Sequence, residues 1–203
     1  MLLNLQGDVL REQGDLAGAQ AAYGKALEVS RRLAEADPSN AGWQRDLSVS
    51  HDNVGDVLRE QGDLAGAQAA YGKALEVSRR LAEADPSNAG WQRDLSVSHD
   101  KVGNVLRDQG DLAGAQAAYG KSLEVRRRLA GADPSNAGWR RDLSFSLTTM
   151  AQFHERRGDR AEALRFAEES LTIDERLASL DRSNVTWQRD VAVSRALVTR
   201  LRG

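Results

Sequence analysis

A chain of 203 residues, 40% hydrophobic and 29% charged, has room for one or two globular domains or one repeat array. Its net charge of −2 is too small to suggest a nucleic-acid or membrane-surface binder. The absence of cysteine excludes disulfides, thiolate metal sites and a thiol nucleophile.

Only three prolines interrupt a sequence rich in Ala, Leu, Arg and Glu, so helix is expected throughout. No apolar run approaches the ~20 residues of a membrane-spanning helix. The start, Met1-Leu2-Leu3-Asn4-Leu5, lacks the basic region and long apolar stretch of a signal peptide. A cytoplasmic protein is expected. Charge is uneven along the chain: residues 1–102 carry 11 basic and 16 acidic side chains, residues 103–203 carry 17 and 14.

The chain repeats itself. Trp43, Trp91, Trp139 and Trp187 are spaced by 48 residues, as are Gly14, Gly62, Gly110 and Gly158. Residues 7–54 and 55–102 differ at one position, Asn53 against Lys101, and residues 103–150 differ from 55–102 at 11 positions. Such a period means stacked units, each burying its apolar face against its neighbours. The expected units are about 1–38, 39–86, 87–134 and 135–182, with a terminal helix over 183–203, all in a single domain.

The first unit opens on a short helix, about Met1 to Gln13, followed by a second that includes Lys25–Ala36. The second unit shows the full pattern. Asn40 caps a helix after Asp37-Pro38. Trp43, Leu47, Ser50, Val54 and Leu58 then form one helical face. Gly62 ends that helix in a left-handed C′ position, and Asp63 caps the next. Leu64, Ala67, Tyr71, Ala74, Ser78 and Leu81 make the stripe of the partner helix, which runs to about Ala84. Gly55 in mid-helix costs ~1 kcal/mol against Ala, which implies a close approach by another helix backbone, with Tyr71 filling the space between units. The third unit repeats this. The fourth diverges, with Ala151, Ala167 and Ser170 where Gly55, Tyr71 and Ala74 stand. Val191, Leu197 and Leu201 of the last helix face the array, while Arg195, Arg200 and Arg202 form an outer cap.

Candidate chemistry is sparse. His51-Asp52 and His99-Asp100 look like metal-hydrolase pairs but lack further ligands, and the third copy reads Leu147-Thr148. His154-Glu155 has no partner set. Asp15, Asp63 and Asp111 follow glycines as helix caps. Arg126-Arg127-Arg128 and Arg156-Arg157 fit solvated faces. No phosphate loop, nucleophile motif or catalytic carboxylate pair is present, so no enzyme, metal or cofactor is expected.

The set Val54-Gly55, Leu58, Ala67, Tyr71 and Ala74 resembles the small-and-large pattern of the tetratricopeptide repeat (TPR) family. These units exceed the ~34 residues of the common repeat and are similar to longer-repeat members of the kinesin-light-chain kind. His51 stands where the family usually has tryptophan, and the proline is displaced to Pro38, Pro86 and Pro134. The resemblance implies an all-α solenoid, a right-handed superhelix of antiparallel helix pairs. It also implies a scaffold that binds a peptide or partner helix in a concave groove. A regulatory or sensor segment of a larger bacterial signalling ATPase or protease is the alternative.

The groove face expected from helical phase lies ~200° from the apolar stripe. In the second unit it comprises Arg45, Val49, Asp52, Asp56 and Arg59. In the third it comprises Arg93, Val97, Asp100, Asn104 and Arg107. In the fourth it comprises Arg141, Phe145, Thr148, Gln152 and Glu155. The family's carboxylate clamp uses Lys, Asn and Arg, whereas Asp52, Asp56 and Asp100 would repel an acidic terminus. A basic or mixed-charge protein partner is therefore expected, with Val97 and Phe145 as apolar anchors and no nucleic acid or membrane involved. The thin covering of Leu27, Val29 and Leu33 points to a homodimer through the N-terminal end, or to an upstream domain that covers it.

Overall fold

The computed structural model describes residues 2–203. Among them are nine α-helices and no strand: α1 (Leu2–Glu12), α2 (Leu16–Ala36), α3 (Ala41–Glu60), α4 (Leu64–Ala84), α5 (Ala89–Asp108), α6 (Leu112–Ala132), α7 (Ala137–Arg156), α8 (Arg160–Leu180) and α9 (Val185–Arg202). The expected helix start at Met1 lies outside the described residues. The class is all-α, a stack of helical repeats within each of two compact units, residues 1–118 and 119–203.

Local chemistry sets the helix ends. Asn40, Asn88, Asn136 and Asn184 each accept, through Oδ1, the backbone N–H of the tryptophan three residues on, all at 3.1 Å. Gly62 has φ +84°. This left-handed turn lets Gly62 N–H reach Arg59 O at 3.1 Å and Asp63 N–H reach Leu58 O at 2.9 Å, closing the helix C-terminus. Asp63 then accepts from Gly66 N–H at 2.8 Å, so one two-residue joint stops α3 and starts α4.

In the first unit the hairpin packs around a tyrosine. Tyr71 is buried against Ala67 of its own helix and Val105 of α5. Its hydroxyl donates to Asp56 Oδ1 at 2.7 Å. A Cβ on Gly55 would lie 2.5 Å from Tyr71 Cε1. The close approach expected at Gly55 is thus made by an aromatic ring and not by another backbone. Tyr23 repeats the arrangement over Gly7, with its hydroxyl 2.7 Å from Asp8 Oδ1.

In the second unit the tyrosine and glycine positions of the last hairpin are Ala167 and Ala151, both buried. Bulk comes from elsewhere. Phe153, His154 and Phe166 are buried, His154 stacks on Phe166 with ring centroids 5.6 Å apart, and Tyr119 meets Phe153 edge-on at 5.8 Å. His154 Nδ1 lies 3.1 Å from Asp159.

Two glycines one turn and one helix apart should respond oppositely to a methyl group. Nothing lies within 4 Å of a Cβ built on Gly72, so Gly72→Ala should stabilise the fold by about 0.4–1 kcal/mol. Gly55→Ala gains the same propensity but forces the Tyr71 ring aside, so a net loss of about 1–3 kcal/mol is expected. Urea unfolding midpoints of the two variants check both signs.

Candidate interaction groove

The faces of α3 and α5 diverge above α4 and leave a cavity of about 90 Å³. Serines form its floor. Ser48 Oγ donates to Ala74 O at 3.0 Å and lies 2.9 Å from Ser78 Oγ, which lies 3.0 Å from Ser98 Oγ. These small side chains satisfy one another and let three helices approach closely. Val49, Leu81, Val97 and Trp91 supply the apolar wall, and Asp52 enters from α3.

The structure brings together Arg45, Val49, Asp52 and Val97 of the expected face around this cavity. It does not gather the others there. Arg45 is turned across the rim to Asp94, with Nε 2.5 Å from Oδ2. Asp56 receives the Tyr71 hydroxyl and Lys101 Nζ, with Arg11 at 3.6 Å, so its carboxylate is spent on packing. Arg59 reaches Asp108 at 2.6 Å. On α5, Arg93 is exposed, Asn104 is half-buried, Asp100 is buried, and Arg107 pairs with Asp108 at 2.8 Å.

In the second unit, Arg141 pairs with Asp190 at 2.6 Å and Glu155 with Arg200 at 2.7 Å. Phe145 is 60% exposed, with the Arg126 guanidinium 5.4 Å from its ring centre. Gln152 is exposed. Thr148, expected to face the groove, instead sits 2.8 Å from Ser170 Oγ of α8. Its short side chain and β-branch favour the hairpin seam, where a hydroxyl finds a partner.

Trp91, Leu81 and Asp94 escaped the helical-phase reading. They belong to the apolar stripe or to no stripe. The recurring Arg-Asp dipeptides at 45–46, 93–94 and 141–142 were the available signal for the rim, because Arg45 and Arg141 each meet the Asp one residue beyond the next copy of themselves.

Among the acids of α3, Asp52 stands out. Its Oδ1 is buried without a hydrogen-bond partner. Burial pushes its carboxyl up to about 7; Lys101 opposes the rise, and Asp56 and Asp94 add to it. The same position one repeat earlier is Asn4. Its Oδ1 is also buried without a partner, and it lines a cavity of about 230 Å³ with Ser30, Leu33 and Asp46. His51 is pushed down to about 4, first by burial and then by Lys73, which keeps the imidazole neutral near pH 7. Among the described residues no three of His, Asp and Glu gather as metal ligands.

Folded Asp52 holds its proton to about pH 7, whereas the unfolded carboxyl loses it near pH ~3.9. The folded chain therefore binds more protons in that window, and stability from this group falls as pH rises from about 4 to about 7. His51 acts oppositely, losing stability as pH falls from about 6.5 toward 4. Asp52→Asn should raise Tm by about 2–4 °C above pH 7.5 and by almost nothing at or below pH 4. Thermal melts of both proteins at the two pH values check this.

The tetratricopeptide repeat profile matches residues 3–39, 50–87, 100–136 and 146–181. No match is found among curated proteins. Among solved structures the chain is similar to the crystal structure of BtubC (BKLC) from P. vanneervenii. That match has 16% identity over 92% of this chain and 89% of that one, with a TM-score of 0.43. No described helix is long and apolar enough to cross a membrane. Repeats of this kind generally mediate protein–protein interactions, and their scaffold is typically non-enzymatic. With four matched repeats across most of its length, the chain belongs to the tetratricopeptide repeat family.

Proposed function

We propose that the chain is a protein-interaction scaffold that takes an extended peptide or partner helix along the α3–α5 groove. A cationic side chain would enter the cavity beside Asp52. The observation that carries this reading is the buried Asp52 oxygen with no partner in a cavity otherwise walled by Val49, Leu81, Trp91 and Val97. A lysine fits such a place: its stem lies on the apolar wall while its ammonium satisfies the carboxylate. The Asn4 cavity one repeat away, with Ser30 and Asp46 in its lining, offers a second polar subsite for the same partner.

Titration calorimetry with a short lysine-containing peptide, against its norleucine counterpart, tests the reading. Asp52→Asn should weaken the lysine peptide about tenfold, the effect of roughly 1.4 kcal/mol, and leave the norleucine peptide unchanged. Binding of the lysine peptide should also weaken below pH 7, where Asp52 takes its proton. Equal affinity of parent and variant at pH 8 counts against the groove.

A second reading, self-association through the N-terminal end, is favoured by one comparison. Val29 and Leu33 are 49% and 38% exposed, while their copies Val77 and Leu81 are 5% and 9% exposed. A second copy of the chain would cover this face as a two-fold dimer. Sedimentation should show a dimer that Leu33→Glu dissolves; a monomer at high concentration excludes it.

A further inference from the structure

A second hollow, of about 330 Å³, lies between α6 and α8 in the second unit, away from the serine-floored groove. Ala130, Leu143 and Ile173 make its apolar wall, and Arg127, Arg140 and Arg176 reach it. No acidic residue lines it.

The near-identical repeats serve as an internal control for this composition. Arg140 stands where the earlier copies have Gln44 and Gln92. Gly131 stands where they have Glu35 and Glu83, and Thr172 stands where they have Glu28, Glu76 and Glu124. In the first repeat these acids neutralise the neighbouring arginines: Arg31 lies 2.8 Å from both Glu28 and Glu35, and Arg32 lies 2.8 Å from Glu28. The corresponding hollow of the first unit contains Gln44, Arg80 and Asp85. Three positions have thus moved toward positive charge in one place.

Changes on α8 run the other way: Glu168, Glu169 and Glu175 stand where the preceding copy has Gly120, Lys121 and Arg127. Glu169 replaces Lys121 and pairs with Arg127 at 2.7 Å. The other acids of α8 are engaged elsewhere: Glu175 with Arg195 and Glu168 with Arg202, both at 2.7 Å, Glu162 with Arg165 and Asp174 with Ser144, both at 2.5 Å. Arg140 and Arg176 are left without an ion pair among the described residues. Two guanidinium forks beside an apolar hollow suit carboxylates carried on a segment with a hydrophobic residue between them.

We infer that the α6–α8 hollow is a second docking site, for an acidic segment of a protein partner, in which carboxylates pair with Arg140 and Arg176 while an apolar side chain fills the space against Leu143 and Ile173. The inference rests on the protein-binding reading but uses a different face.

The test is fluorescence anisotropy on the full chain with a labelled peptide of alternating Glu and Leu, its Gln-for-Glu counterpart, and inorganic phosphate as competitor. Arg140→Gln with Gly131→Glu restores residues that the earlier repeats already carry, and a Cβ on Gly131 meets nothing within 4 Å. Arg176→Gln serves as a second, single variant on an exposed side chain. The acidic peptide should bind the parent at least tenfold more tightly than its Gln counterpart, weaken with salt, and lose at least tenfold in each variant. Asp52→Asn should leave it unchanged, which separates this site from the groove. Equal binding by parent and variants overturns the inference. So does displacement of the peptide by millimolar phosphate, which marks a site for small anions.

Discussion

A tyrosine ring laid on a bare stretch of helix sets the spacing on which the first unit depends. Gly55 offers no Cβ, so Tyr71 can lie against the backbone of α3, and its hydroxyl reaches Asp56 on the same helix. The ring fixes the distance between α3 and α4, the hydrogen bond fixes their register, and Val105 of the next repeat closes the other side. The only residue that separates residues 55–102 from 7–54 is Lys101, and it too reaches Asp56, with its ammonium 5.8 Å from the Tyr71 ring centre. An aspartate that satisfies a buried phenol, an ammonium and a nearby arginine is a structural anchor. That occupation decides which acid of α3 remains for a ligand, and leaves Asp52.

The last hairpin meets the same spacing requirement with the volumes redistributed. Ala151 fills the place of the glycine and Ala167 that of the tyrosine, while Phe153, His154 and Phe166 add bulk nearby in the same two helices. Cores accept such exchanges when total volume and patterning hold. The serine floor varies by the same logic. The Ser78 position becomes Arg126, which donates to Ser146 at 2.7 Å, and then Asp174, which accepts from Ser144 at 2.5 Å. Each replacement keeps a hydrogen-bonded polar group between helices, because a buried polar atom without a partner is costly.

Several surface charges are engaged in pairs between neighbouring repeats: Arg11 with Glu60, Arg45 with Asp94, Arg59 with Asp108 and Arg141 with Asp190. Each such exposed pair contributes little stability, yet each removes a charge from the set available to a partner. Two hollows keep charge outside such pairs, a carboxylate in one and two guanidinium groups in the other.

The sequence by itself determined the helices, their ends and their pairing, because caps, left-handed glycines and apolar periodicity act over a few residues and recur every 48. It located the face that holds Arg45, Val49, Asp52 and Val97, since helical phase is a local property. Depth and partner choice were decided only by tertiary structure. Periodicity could not tell that Asp56 is engaged by Tyr71 while Asp52 of the same helix keeps an unpaired oxygen, or that Trp91 turns to the groove. It could not show that Thr148 turns to Ser170, or that Gly55 meets a ring. The α6–α8 hollow was likewise invisible, because Arg140 and Arg176 lie on different helices. Only the packing of one helix against the next brings such residues together, and the angle and depth of that packing follow from the volumes of side chains on both partners, which no single helix carries.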